Sequence, residues 1–144
     1  MKSPYYFLLT ILLSAITVSC ITKMEEVPDS DNKIVVLDNI LYTKAITNNY
    51  TIKSAAVVGD SLVVEVTSSG CSGSSWVFKA FDSEVIAESY PIQRYMRISL
   101  DNKELCLAVI TKRVSFNLKP VRTTGYKIIS INLDKWNPQL LYNY

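Results

Sequence analysis

The repeated spacing of β-forming residues constrains the fold of this chain more than any other feature. From Lys33 onward, runs of about five to nine apolar, β-branched and aromatic residues are separated by Gly, Pro, Asn and Asp, a pattern typical of short strands joined by turns. No stretch after residue 20 keeps a helical apolar period of useful length. The sequence predicts an all-β domain, arranged as an antiparallel two-layer sandwich of Greek-key or immunoglobulin-like type. A small closed barrel is the alternative.

The predicted strands follow these runs. Gly59-Asp60-Ser61 separates two of them as a tight hairpin, because glycine adopts the positive φ that such turns need. In Gln93–Leu100 the residues alternate, and Arg94 falls on the same side as three apolar residues. Leu105–Thr111 is apolar on both sides, which predicts a central, covered strand. The full set of runs is Ile34–Asp38, Ile40–Lys44, Tyr50–Val58, Leu62–Thr67, Ser75–Asp82, Glu84–Tyr90, Gln93–Leu100, Leu105–Thr111, Val114–Leu118, Tyr126–Leu133 and Leu140–Tyr144.

The first 19 residues have the layout of a secretory signal peptide that is removed from the mature protein. Lys2 precedes an uncharged apolar run from Tyr5 to Val18, and small Ser19 follows that run. A helix needs roughly 20 apolar residues to cross a bilayer, so a permanent membrane span fits this run less well. The sequence therefore predicts an exported protein.

The end of this segment carries a family resemblance. Thr17-Val18-Ser19-Cys20 resembles a bacterial lipobox, in which cleavage falls before the cysteine and its sulfur receives a diacylglycerol. The resemblance implies a lipid on Cys20 that anchors the protein to a membrane without spanning it. An ordinary secreted protein with an incidental Cys20 is the alternative.

The residues after the cysteine read as a tether. Residues 20–33 are polar and charged and include Pro28, a composition that buries too little apolar area to order itself. The folded domain is predicted to span residues 34–144. Lys23-Met24-Glu25-Glu26 resembles the export signal of Bacteroidetes-type surface lipoproteins. With the blocks 69–76 and 102–108, the chain resembles small uncharacterised lipoproteins of that group, which implies the outer membrane, on its periplasmic face or at the cell surface.

Three cysteines are present. Assigning Cys20 to the lipid leaves Cys71 and Cys106, and an even pair in an oxidising compartment predicts a disulfide. That bridge would close a loop of about 36 residues and stabilise the domain by about 3–4 kcal/mol. Two buried free thiols are the alternative.

Charge and composition exclude several functions. A net charge of +2 argues against nucleic acid as a partner. The absence of histidine excludes His-based triads and zinc hydrolases, and no metal or cofactor is expected apart from the lipid on Cys20. Gly70-Cys71-Ser72-Gly73-Ser74 misses the spacing of a nucleophile elbow. The carboxylates show no convergent spacing, so a carboxylate-based enzyme is the least favoured hypothesis.

Binding is the favoured hypothesis, because nine Tyr and two Trp provide large contact area with polar groups. A basic aromatic surface patch is predicted at Tyr90, Arg94, Tyr95 and Arg97. The alternative assigns the aromatic residues to the core, with Trp76, Phe78, Phe81 and Phe116 inside.

The functional expectation is a non-catalytic module that binds or scaffolds an envelope protein or glycan. The alternative is a small disulfide-stapled inhibitor that plugs a hydrolase with the loop Ser68–Ser75. Asp60-Ser61-Leu62 also resembles a Bacteroidetes-type O-glycosylation motif, which makes Ser61 a candidate modification site.

The first prediction concerns the mature N-terminus. Mass spectrometry of the purified mature chain is expected to show Cys20 as the first residue, carrying a diacylglycerol, because cleavage and lipidation occur at the same residue in the lipobox pathway. An unmodified first residue other than Cys20 would contradict both the anchor and the compartment.

Overall fold

The computed structural model describes residues 33–144, so the predictions for the signal peptide, Cys20 and most of the tether lie outside the described residues. The elements of this part are β1 (Lys33–Ile34), β2 (Val36–Leu37), helix α1 (Asn39–Lys44), β3 (Thr51–Val58), β4 (Ser61–Gly70), β5 (Val77–Ala87), β6 (Ile92–Asp101), β7 (Ala108–Asn117), a 3-10 turn (Lys119–Val121), β8 (Ile128–Leu133) and β9 (Leu140–Asn143). Within the same residues, no helix has the length and apolar character to cross a membrane.

Two sheets pack face to face, which confirms the two-layer all-β sandwich. The four-stranded sheet has the order β1-β7-β4-β3, and the five-stranded sheet has the order β2-β5-β6-β8-β9. Both sheets are mixed rather than purely antiparallel, because three pairs of strands are parallel: β1 with β7, β2 with β5, and β6 with β8. The described part of the N-terminal segment thus contributes one strand to each sheet.

The core forms between the two inner faces because successive side chains of a strand point to opposite faces. Buried and partly exposed residues alternate along β4 and along β6. Of the aromatic residues assigned to the core as the alternative to a binding role, Trp76, Phe78 and Phe116 belong to it. Phe81 is also buried but lies outside this cluster, beside α1.

The short strand predicted at Ile40–Lys44 is wrong, because this segment forms helix α1. The side chain of Asp38 accepts a hydrogen bond from the backbone N–H of Leu41 at 2.8 Å and so caps the first turn. The runs predicted separately at Ser75–Asp82 and Glu84–Tyr90 form one strand, β5, with a register irregularity between Asp82 and Ile86.

Arg94 is buried, so the prediction that it belongs to an exposed binding patch is wrong. Its side chain lies on the inner face of β6 and is 5% exposed. The guanidinium donates to both oxygens of the fully buried Asp82 carboxylate, at 2.5 and 2.9 Å. This bidentate pair compensates the charge that burial would otherwise leave unpaired.

The remaining members of the predicted patch differ in exposure and in their contacts. Tyr90 is 91% exposed, and Tyr95 is half-buried. Arg97 stacks under the ring of Tyr42 at 4.4 Å and lies 3.3 Å from the Asp134 carboxylate. The Arg97 side chain is therefore engaged by contacts within the chain.

Asp82→Ala is predicted to lower the free energy of unfolding by about 3–5 kcal/mol, because it leaves the Arg94 charge buried and unpaired. Chemical denaturation measures the effect. The double variant Asp82→Leu/Arg94→Met is expected to lose less than the single variant, and a larger loss in the double would contradict this account. Asp101→Ala is the control, since its ion pair with Lys103 is exposed and is worth about 1 kcal/mol or less.

Candidate functional site

The chain crosses between the two sheets twice at one end of the sandwich. The β4–β5 loop (residues 71–76) leads from the four-stranded to the five-stranded sheet, and the β6–β7 segment (residues 102–107) returns. A disulfide between Cys71 and Cys106 joins the two crossings, with the Cα atoms 4.8 Å apart. The bond predicted from the cysteine count therefore fixes both crossings to each other.

The Glu104 carboxylate makes a second link between the same crossings. One oxygen accepts backbone hydrogen bonds from Cys71, Ser72 and Gly73 at 2.6, 3.0 and 2.9 Å, and the other accepts from the hydroxyl of Ser75 at 2.8 Å. The backbone donors of Gly73 and Ser72 contribute most to lowering the pKa of Glu104 to about 2, because they favour the charged form. The loop therefore surrounds an ionised carboxylate of its own chain.

Two glycines allow the loop to close so tightly. A Cβ at Gly70 would lie 2.5 Å from the Glu104 carboxylate and 2.9 Å from the Trp76 ring. Gly73 has a φ of +67°, and a Cβ there would lie 2.8 Å from the Lys112 side chain. The loop proposed for an inhibitor is therefore packed against the end of the sandwich.

The segment after Glu104 exposes three aliphatic side chains. Leu105 is 94% exposed, Leu107 91% and Val109 77%, and we call these three residues the stapled ridge. The prediction that Leu105–Thr111 is a central, covered strand is wrong, because residues 102–107 cross between the sheets and β7 begins only at Ala108. Sequence reasoning missed the ridge and the role of Glu104.

The opposite end of the sandwich is closed by contacts within the chain. One oxygen of Asp60 accepts hydrogen bonds from the Tyr142 hydroxyl and the Arg122 guanidinium, both at 2.6 Å. These bonds lower the pKa of Asp60. Burial, followed by the Asp60 contact, raises the pKa of Tyr142. Ser61 is half-buried in β4 opposite Asn117, and its O-glycosylation stays a prediction.

A shallow cleft of about 200 Å³ lies beside α1, between Leu41, Ile46 and Phe81. It is smaller than the roughly 300–1,000 Å³ typical of small-molecule sites. Among residues 33–144, no group of three or more Cys, Asp and Glu side chains is arranged to hold a metal ion. The stapled ridge is therefore the more prominent candidate site.

Two solved structures have a fold similar to that of this chain. No family model and no curated protein matches the sequence. Among solved structures, a DUF1344 protein of unknown function from Bacteroides vulgatus ATCC 8482 is similar over 78% of this chain and 56% of its own, with 17% identity and a TM-score of 0.53. A NigD-like immunity protein from Bacteroides caccae ATCC 43185 is similar over 70% of this chain and 51% of its own, with 14% identity and a TM-score of 0.54. The chain spans little more than half the length of either protein, and the likeness shows a shared fold.

Replacing Glu104 by Gln is predicted to change how stability depends on pH. The folded-state pKa of about 2 lies below the ordinary value of 4.5, so the charged carboxylate stabilises the fold fully above about pH 4.5 and loses this contribution as pH falls towards 2. Denaturation at several pH values is expected to give a flatter profile for Glu104→Gln over this window.

Glu88→Gln is the matched control, because Glu88 is exposed and its side chain forms no hydrogen bond or ion pair with any of residues 33–144. Its pH profile should follow that of the parent chain. Parallel profiles for Glu104→Gln and the parent would contradict the role assigned to the Glu104 carboxylate.

Proposed function

We propose that this chain is a non-catalytic binding module of the bacterial cell envelope, anchored through a lipid on Cys20, and that it contacts a protein partner through the stapled ridge. The observation that carries the proposal is the near-complete exposure of Leu105, Leu107 and Val109 on a segment held by a disulfide and by the Glu104 carboxylate. Burying a large aliphatic side chain contributes roughly 1.5–3 kcal/mol.

Rigidity supports a contact role for the ridge. A surface whose backbone is already fixed loses less conformational entropy when a partner binds. Cys106 lies between Leu105 and Leu107, and Glu104 immediately precedes them, so both links act directly on the exposed segment. The backbone of the ridge is thus already ordered before a partner binds.

The chemistry of the ridge favours a protein over a glycan. Its three side chains are aliphatic and offer no hydrogen-bond donor or acceptor, whereas exposed apolar groups are typical of surfaces that contact proteins or membranes. Export is supported by the disulfide, since such bonds persist in oxidising compartments. The lipid on Cys20 would hold the module close to partners at the same membrane.

An inhibitory role is the second candidate. The stapled β4–β5 loop and the ridge form a fixed end of the sandwich, and one of the similar structures is a NigD-like immunity protein. In this version of the proposal, the partner is a hydrolase whose activity falls when the ridge binds it. An enzyme built on the carboxylates of this chain is less favoured, since Asp82 is paired with Arg94 and Glu104 binds its own loop.

Site-specific photo-cross-linking tests the proposal in intact cells. A photoreactive amino acid in place of Leu105 or Leu107 is expected to give one discrete adduct with an envelope protein, because these side chains would lie in the interface. The same substitution at Val58 is the control, since Val58 is 61% exposed beside the hairpin turn at the opposite end of the four-stranded sheet. No adduct from either ridge position, or the same adducts from Val58, would contradict the proposal.

A further inference from the structure

Among residues 33–144, most of one edge of β7 has no neighbouring strand. β7 lies between β1 and β4, and β4 pairs with its whole length from Ala108 to Asn117. β1 pairs only with Phe116 and Asn117. Within the described part of the chain, residues 108–115 therefore have a strand on one side alone.

The backbone groups on this open edge can be assigned. Asn117 accepts a hydrogen bond from Val35 through its carbonyl, at 3.2 Å, so its main-chain groups point away from β4. Because both polar groups of a residue point to one side of a strand and the side alternates, Thr111 and Arg113 also direct their N–H and C=O groups away from β4. Val109 and Ser115 share this orientation.

An open edge of this kind is a template for another strand. The other edge of the same sheet differs, because β3 contacts β9 of the five-stranded sheet. The open edge of β7 also continues directly from the ridge, since Val109 belongs to both. An added strand would therefore contact aliphatic side chains at one end of the edge.

The charge along this edge is positive. Lys112 and Arg113 are adjacent, and neither forms an ion pair with a described residue. Glu65 lies opposite Arg113 in β4 without forming an ion pair with it, and Glu104 is held by the β4–β5 loop. A partner strand with an acidic side chain beside Arg113 would therefore be favoured over a basic one.

We propose that the open edge of β7 binds an extended segment of a partner polypeptide by strand addition, with an acidic side chain beside Arg113 and an apolar side chain beside Val109. This inference rests on the proposed function and specifies the partner's chemistry. Val109 and Arg113 lie on the same face of β7, four residues apart, so the partner is expected to carry apolar and acidic residues with the same spacing. Main-chain hydrogen bonds would provide affinity and the two side chains specificity.

Peptide binding to the purified mature, lipidated chain in detergent tests this inference. The probe is a fluorescent strand-forming Thr/Val peptide with Val and Glu four residues apart, and the control peptide has Lys in place of Glu. Fluorescence anisotropy is expected to show binding of the Glu peptide at least about tenfold tighter than that of the Lys peptide. Arg113→Glu is expected to reverse this preference.

A proline variant tests whether main-chain hydrogen bonds are used. Thr111→Pro removes an N–H that points away from β4, and Thr111→Ala is the matched control, since both variants lose the hydroxyl contact with Thr67. Thr111→Pro is expected to weaken binding of the Glu peptide at least about tenfold, whereas Thr111→Ala should bind like the parent. If Thr111→Pro does not fold, Arg113→Glu decides the outcome.

The inference is overturned by failure of the Glu peptide to bind, by equal binding of both peptides, or by equal binding of the folded proline and alanine variants. A concentration-dependent dimer in sedimentation, lost in Thr111→Pro and accompanied by no peptide binding, would assign the edge to a second copy and also overturn it. A cross-linked adduct at Leu105 without peptide binding contradicts this inference alone. Peptide binding without that adduct contradicts the proposed function alone.

Discussion

The hydrogen bonds that Glu104 accepts from the β4–β5 loop are the constraint on which the candidate site depends. They join two crossings that belong to different parts of the sequence, and the Cys71–Cys106 disulfide joins the same two crossings. Without these links, the segment that carries Leu105 and Leu107 would be an exposed connection with few contacts of its own. With them, it is a fixed apolar surface beside the start of β7.

In the described part of the chain, most of the β7 edge beside this surface has no neighbouring strand. Within residues 33–144, β1 and β2 belong to different sheets and each pairs with only two residues, of β7 and β5 respectively. Helix α1 packs against β5, and residues 108–115 of β7 have no second neighbouring strand among the described residues. The apolar ridge and this edge thus lie next to each other at the start of β7.

The sequence predicted most of the sandwich because strand alternation is a local property. The hairpin at Gly59 and the strands on both sides of it agree with the structure, and the alternation of β6 placed Arg94 on the same face as its buried neighbours. Its assignment to a surface patch was wrong because the compensating carboxylate, Asp82, lies on another strand. Such a partner cannot be identified from one strand's pattern.

The wrong strand predictions at Ile40–Lys44 and Leu105–Thr111 also have physical reasons. A single side chain, Asp38, caps a helix in a segment whose composition favours a strand. Apolar residues at Leu105 and Leu107 indicate burial only when a second layer covers them, and coverage depends on the order of strands in the sheets. The run from Gly70 to Ser75 contained a signal for the Glu104 site, since small residues expose backbone N–H groups, but the distant acceptor was not predictable.

Hydrogen exchange at single-residue resolution tests the central claim most directly. The backbone amides of Cys71, Ser72 and Gly73 lie in a mostly exposed loop, and the account predicts that they exchange slowly because they donate to the Glu104 carboxylate. Exchange of these three amides at the rates of an unstructured peptide would contradict the account, because the end of the sandwich that carries the ridge would then not be fixed.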